Sequence, residues 1–93
     1  MKPDYMVVVM ADDPDRQYAD IPEADILEAI HIANYYKGRG FSATVVNYGA
    51  EPRLWLCSGH LLPTAVFTGR NADEALMRAR LHDGGYDTVQ LMG

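Results

Sequence analysis

The sequence predicts an α+β protein with a ferredoxin-like two-layer sandwich, in which two helices cover one face of a mainly antiparallel sheet. Three observations support this fold class: the two halves of the chain share one pattern, each half contains a capped amphipathic helix, and a turn rich in glycine and proline joins the halves. Two βαβ units joined by one additional strand give the order βαβ-β-βαβ. A small flavodoxin-like α/β sheet with parallel strands is the alternative.

The first half is expected to begin with a strand and to continue into a helix. Tyr5 to Met10 is apolar without alternation, which is typical of a central strand covered on both faces. A polar loop, Ala11 to Ala19, follows. Asp20 is then expected to cap a helix, because Pro22 suits a first helical turn and Glu23 completes a capping box.

The rest of the first half predicts a helix end and a hairpin. The apolar stripe of the helix comprises Ile26, Leu27, Ala29, Ile30, Ala33 and Tyr36. Gly38 is the expected left-handed residue that ends the helix. Ser42 to Tyr48 alternates as a strand, Gly49 to Pro52 turns the chain, and Arg53 to Ser58 is expected to return as the second strand of an antiparallel hairpin.

The second half repeats the pattern. Thr64 to Thr68 follows a proline and is either a separate edge strand or the continuation of a bent one. Asn71 and Glu74 have the spacing of a capping box, and the helix they begin is expected to end at Gly84-Gly85. Tyr86 to Met92 alternates as the last strand.

Composition restricts the class of protein and the kind of partner. A chain of 93 residues with 48% hydrophobic content suits a single domain, residues 1–93, with a modest core. Its single cysteine, Cys57, forms no internal disulfide. The apolar run from Met6 to Ala11 is too short to cross a bilayer. A cytoplasmic protein is therefore expected. The net charge of −5 argues against direct binding to nucleic acid or to an anionic membrane.

Acidic residues concentrate in one segment of the chain. Between Asp12 and Glu28 there are seven acidic residues and a single basic one, Arg16, whereas the rest of the chain is close to neutral. Tyrosine is abundant, and its side chain suits interfaces because one end is polar and the rest packs. The expected partner-binding residues are Asp12, Asp13, Asp15, Tyr18, Asp25, Glu28 and Tyr35.

Two loops resemble ligand sites only in part. Asp12 to Asp15 follows the first strand, where carboxylate oxygens could hold a divalent ion, but Asp-Pro-Asp is also ordinary turn chemistry. Gly38-Arg39-Gly40 follows a helix and precedes a strand, which is the reverse of the order that a phosphate-binding loop requires. We therefore predict no metal ion and no cofactor from these loops.

The candidate nucleophile and bases are better explained by packing. Cys57 and His60 are three residues apart, but Cys57 belongs to an apolar strand and unpaired cysteines are among the most buried residue types. His31 lies one helical turn from an acid and from a tyrosine, yet no other residue has metal-ligand spacing relative to it. We therefore predict no catalytic residues, and an enzyme is the less favoured class.

Two functions follow from these observations. The first is a small acidic non-catalytic module that binds a basic surface of another protein, including the case in which it inhibits or regulates a protein that binds nucleic acid. The alternative is a small enzyme or ligand-binding domain with a site at the strand ends near the Asp12–Asp15 loop. A homodimer is expected in addition, since a two-layer sandwich leaves one sheet face open.

Overall fold

The structure, a computed structural model, describes residues 2–93, which form six strands and two helices. In chain order the elements are β1 Tyr5–Met10, β2 Ala19–Glu23, α1 Ile26–Gly38, β3 Ser42–Asn47, β4 Arg53–Gly59, β5 Leu62–Gly69, α2 Ala72–His82 and β6 Tyr86–Leu91. Neither helix in this part of the chain is long and apolar enough to cross a membrane. The predicted α+β class is confirmed.

The chain divides into two compact units with the same topology, Met1–Ala50 and Glu51–Gly93. Each unit runs strand, strand, helix, strand, and its first strand lies at the centre of a three-stranded sheet, in the orders β2-β1-β3 and β5-β4-β6. The four strand pairings are antiparallel, so the parallel flavodoxin-like alternative is wrong. Because the strands within residues 2–93 form two sheets, the ferredoxin-like arrangement of one sheet below both helices is not confirmed.

Strand β2 replaces the predicted helix start at Asp20. Asp20 and Pro22 alternate as exposed residues with Ala19, Ile21 and Glu23, which are half-buried, and the strand pairs antiparallel with β1. Ile21 and Ala19 pack on the core of the unit, and this burial outweighs the local capping pattern. Pro22 is tolerated because β2 is an edge strand of its sheet.

The predicted hairpin between β3 and β4 is also wrong. Strand β4 pairs with β5 on one side and with β6 on the other, so neither of its edges is available to β3. Strand β3 instead pairs with β1 over its whole length, from Ser42 to Asn47. The turn at Gly49, where φ is 81°, precedes the boundary between the two units.

The core of the first unit lies between α1 and its sheet. Ala29 and Ala33 of the helix are buried against Val7 and Val9 of β1 and against Ala43 of β3. Their small side chains allow the helix to pack closely on the sheet. The expectation that Tyr5–Met10 is covered on both faces is confirmed, because the last four residues of the strand have no exposed surface.

The apolar stripe predicted for α1 is wrong at three positions. Ile26, Leu27 and Ile30 were expected in the core, but they are exposed. At 3.6 residues per turn, Leu27 lies about 160° around the helix from the buried Ala29, so it faces away from the sheet. Tyr36 packs against the core, as predicted.

Helix α1 ends at Gly38, as predicted, but Gly38 is not the left-handed residue. Arg39 is the C-cap and Gly40, with φ of 91°, adopts the left-handed conformation. The N–H of Gly40 donates to the carbonyl of Lys37, and the N–H of Phe41 donates to the carbonyl of Tyr36, both at 3.1 Å. These two bonds form a Schellman motif, so the left-handed glycine is Gly40 and not Gly38.

The second unit follows its predicted elements more closely. Residues Thr64 to Thr68 belong to a separate strand, β5, which pairs antiparallel with β4. The Asn71 side chain accepts a hydrogen bond from the N–H of Glu74 at 2.8 Å, so the predicted cap of α2 is confirmed. The helix ends at His82, two residues before Gly84, and Ala75 and Ala79 are fully buried beside the sheet.

Candidate functional site

The predicted partner-binding residues lie in the first unit and are exposed. Tyr18 is 59% exposed and Tyr35 is 51% exposed. The acidic members of the set, all of them exposed, are Asp12, Asp13, Asp15, Asp25 and Glu28. These side chains are therefore accessible to a partner, and their positions relative to α1 determine which of them can act together.

The acidic residues form two groups near opposite ends of α1. Asp25 is the N-cap, and its carboxylate accepts a hydrogen bond from the N–H of Leu27 at 2.9 Å. The other group, Asp12, Asp13 and Asp15, lies in the loop that ends at Tyr18. The Tyr18 ring stacks on the Phe41 ring with centroids 4.7 Å apart and contacts the Tyr36 ring with centroids 6.4 Å apart. Tyr36 is in the last turns of α1, about 17 Å along the helix axis from Asp25.

The loop between β1 and β2 is held by its own hydrogen bonds. The Asp13 carboxylate accepts from the N–H of Asp15 at 2.9 Å, and the Asp13 carbonyl accepts from the N–H of Arg16 at 3.3 Å. The N–H of Tyr18 donates to the carbonyl of Val9 at 2.7 Å. Asp13 therefore forms an Asx turn, which gives this carboxylate a structural use.

A shallow cavity of about 250 Å³ lies at the same loop. Its lining residues are Ala11, Asp12, Asp13, Arg16, Gln17 and Tyr18. The carboxylates and the guanidinium give the cavity both signs of charge. Within residues 2–93 no three His, Cys, Asp or Glu side chains lie close enough together to hold a metal ion.

The outer face of α1 carries an exposed apolar cluster, which we name the α1 patch: Ile26, Leu27 and Ile30. Leu27 is 73% exposed, Ile30 43% and Ile26 39%. Ile30 is three residues from Leu27 and four from Ile26, so the three side chains are neighbours on the helix surface. Asp25 immediately precedes the patch and Glu28 interrupts it, so the patch is apolar with carboxylates beside it.

Tyr35 extends the exposed face of the helix toward its C-terminus. It is eight residues after Leu27, and the exposed His31 lies midway between them, so the three residues form one row along α1. The Tyr35 ring makes an edge-to-face contact with Tyr36, with centroids 5.3 Å apart. The guanidinium carbon of Arg39 lies 4.7 Å from the Tyr35 ring centroid, which is a cation–π contact that orients both side chains.

Cys57 and His60, which were considered as a nucleophile and its base, differ in exposure. Cys57 is fully buried, and its Sγ lies 4.0 Å from the carbonyl oxygen of Ala75. Burial raises the pKa of the Cys57 thiol, so the thiolate is disfavoured. His60 is exposed in the turn after β4, and His31 is exposed on α1 in the other unit. The predicted core position of Cys57 is confirmed.

Sequence reasoning did not identify the α1 patch as a functional surface. Leu27 and Ile30 fit a core stripe as long as Asp20 is taken as the helix start. The alternative start was visible in the sequence, because Asp25 also precedes an apolar run, and Asp20 to Glu23 alternates with the two-residue period of a strand.

Comparison with known protein families, with curated proteins and with solved structures finds no match.

Proposed function

We propose that this chain is a non-catalytic module that docks through the outer face of α1 on a basic surface of a partner protein. The proposal rests on Leu27, which is 73% exposed in the first turn of a helix, beside Ile26 and Ile30. Apolar residues that cluster on a surface are typical of protein-interaction sites. Covering them removes apolar surface from water, which is favourable by about 25 cal/mol per Å² of buried area. A partner that covers the patch gains this free energy.

The charge around the helix specifies the chemistry of the partner. The chain carries a net charge of −5, and exposed carboxylates lie near both ends of α1, with Asp25 and Glu28 near the patch and the loop acids Asp12, Asp13 and Asp15 beyond its C-terminal end. A partner with apolar side chains in the centre and Lys or Arg on both sides matches this distribution. The apolar contact holds the complex, and the exposed charges mainly raise the association rate.

Proteins that bind nucleic acid are one class with such a basic surface. A module that occupies the surface would compete with phosphate contacts and would inhibit or regulate the partner. The cytoplasm is the compartment we propose, in keeping with the unpaired thiol of Cys57. Competition between this chain and nucleic acid for the same partner is the expected consequence.

The test is capture of partners from cells that express the chain. Wild type, Leu27→Ser and Leu61→Ser are used as baits; Leu61 is 91% exposed in the β4–β5 turn and serves as the matched control. We expect a basic protein that Leu61→Ser retains and that Leu27→Ser loses at least about tenfold, since an interface anchor is worth more than about 1.4 kcal/mol. Equal capture by all three baits would contradict the proposal.

A small-molecule site at the β1–β2 loop is the second candidate, and the cavity there is the observation that favours it. Its volume of about 250 Å³ is slightly below the range of about 300 to 1,000 Å³ that is usual for ligand pockets. A ligand in this cavity would contact Arg16 and Tyr18. If Arg16→Ala removed the biological activity while Leu27→Ser preserved it, the ligand site would replace the docking surface as the function.

A further inference from the structure

The charges along α1 change sign from one end of the helix to the other. Asp25 is the N-cap and Glu28 lies in the first turn. Lys37 lies in the last turn and Arg39 is the C-cap. All four side chains are exposed, and the helix contains no other Asp, Glu, Lys or Arg. An acidic end is therefore followed by an uncharged middle and a basic end.

The uncharged middle of the exposed face is a ridge that another helix can cover. Leu27, His31 and Tyr35 follow one another at intervals of four residues, and Ile30 lies beside them. Ridges of this spacing pack into the grooves of a second helix, with the axes about 8 to 10 Å apart. A strand could not pair with α1, because the backbone N–H and carbonyl groups of its middle turns bond within the helix. We therefore expect a helix to cover this face.

We propose that the partner presents an amphipathic helix to α1 and that this helix runs antiparallel to it. The helix occupies the docking surface proposed above, on which this assignment rests. Acidic residues in the first turn and basic residues in the last turn complement the helix dipole, and α1 itself has both. Two such helices attract at both ends only when they run antiparallel, because a parallel pair places like charges together. The partner's basic last turn then faces the acidic end of α1, and its acidic first turn faces Lys37 and Arg39.

Arg39 is the residue at the basic end whose side chain has a fixed position. Its guanidinium carbon lies 4.7 Å from the centroid of the Tyr35 ring. This cation–π contact restricts the guanidinium, so less conformational freedom is lost when a carboxylate binds there. A guanidinium also binds a carboxylate with parallel hydrogen bonds. We therefore expect an Asp or Glu in the first turn of the partner helix to bind Arg39.

A second copy of the chain has the same charge order on its own α1, but it is the less suitable occupant. The loop acids Asp12, Asp13 and Asp15 lie beyond the C-terminal end of α1. In an antiparallel pair of copies, these acids would lie near the acidic end of the other α1, where like charges repel. Each copy also has a net charge of −5. A basic partner avoids both sources of repulsion.

Paramagnetic broadening tests the direction of the partner helix on the wild-type chain. The probe is a peptide of about 14 residues with Leu and Lys at amphipathic helical spacing and one Glu in its first turn. A nitroxide is attached to its N-terminus in one sample and to its C-terminus in the other. One helix pair is smaller than a standard interface of about 800 Å² per partner, so the titration extends to about 1 mM.

The two labels are expected to broaden opposite ends of α1, which is about 20 Å long. We expect the C-terminal label to broaden the methyl resonances of Ile26 and Leu27 more strongly. The N-terminal label is expected to broaden the amide resonances of Gly38 and Gly40 more strongly. The reverse pattern, or equal broadening of both ends by each label, would overturn the antiparallel arrangement.

A charge reversal tests the contact of Arg39 with the acidic turn. Arg39→Glu and the control Arg53→Glu make the same change in net charge, and Arg53 is exposed in the other unit. Each variant is titrated with the Glu peptide and with a peptide that has Gln in place of the Glu. We expect wild type and Arg53→Glu to bind the Glu peptide roughly two- to fivefold more tightly, and Arg39→Glu to reverse this preference. The same preference in all three chains would overturn the contact.

The outcomes separate the direction of the helix from docking itself. Far-ultraviolet circular dichroism verifies that each variant is folded. A failed prediction of broadening or charge preference, with Leu27 and Ile30 still shifted by the peptide, would overturn the antiparallel helix and leave the docking surface in place. No shift at Leu27 and Ile30 would overturn both. Shifts of these two residues that depend on the concentration of the chain alone would identify a second copy as the occupant and would also overturn the inference.

Discussion

Asp25 fixes the start of α1 through one hydrogen bond, from the N–H of Leu27 at 2.9 Å. A side-chain oxygen at the N-cap satisfies a backbone donor that has no partner within the helix. We predict that Asp25→Ala lowers the free energy of unfolding by about 1 kcal/mol, as measured by urea denaturation. Asp12→Ala, an acid-to-alanine change in an exposed loop, is expected to cost less than about 0.5 kcal/mol. Equal effects would contradict the assigned helix start.

Gly59 lies where the chain can accommodate no larger residue. A Cβ atom there would overlap the carbonyl group of Gly85, whereas Gly38 has no atom within 4 Å of its Cβ position. We predict that Gly59→Ala destabilises the second unit by more than about 2 kcal/mol, since backbone must move. Gly38→Ala, at the last residue of α1, is expected to stabilise the chain by about 0.5 to 1 kcal/mol, because Gly38 has no positive φ and alanine lowers the conformational entropy of the unfolded chain. Thermal denaturation of both variants provides the comparison.

The buried thiol of Cys57 makes stability depend on pH in the alkaline range. Burial raises its pKa above the ordinary value of 9.0, so the folded chain retains the thiol proton at a pH where the unfolded chain releases it. This contribution to stability is complete below about pH 9 and decreases as the pH rises toward the pKa of the folded thiol. We predict a steeper fall in unfolding free energy above about pH 9 for wild type than for Cys57→Ala. Parallel profiles would contradict burial of the thiol.

At the scale of elements, the orientation of α1 is the finding with the largest consequence. Ala29 and Ala33 face the sheet, and Leu27 faces solvent. We predict that Leu27→Ala costs less than about 0.5 kcal/mol in unfolding free energy, while Val7→Ala, at a fully buried position, costs about 1 to 3 kcal/mol. A loss of about 2 kcal/mol or more at Leu27 would instead support the core stripe expected from the sequence.

Local signals predict an element well when burial does not compete with them. The cap at Asn71 and the strands β1, β4 and β6 match their predictions because hydrophobic pattern and turn residues agree there. Strand β2 could not be predicted with certainty, since Asp20, Pro22 and Glu23 also fit a helix start. Pairing with β1 and burial of Ile21 decide between the two structures, and both depend on residues distant in sequence.

At the scale of the whole molecule, the repeat could be predicted and the pairing of its strands could not. The similarity of the two halves is visible in the sequence and corresponds to two units of identical topology. The acidic segment could also be predicted. The positions of these acidic residues near opposite ends of α1, with the α1 patch near its N-terminal end, could not be predicted. They depend on where the chain reverses between Tyr18 and Asp25.

Titration with synthetic peptides tests most directly the claim that α1 docks a basic and apolar surface. The probe is a peptide of about 14 residues with Leu and Lys at amphipathic helical spacing, and the control has Ser in place of each Leu. We predict that the Leu/Lys peptide shifts the methyl resonances of Leu27 and Ile30, and that it binds at least about tenfold more tightly than the Ser/Lys peptide. Equal binding of both peptides, or shifts that exclude Leu27 and Ile30, would contradict the account.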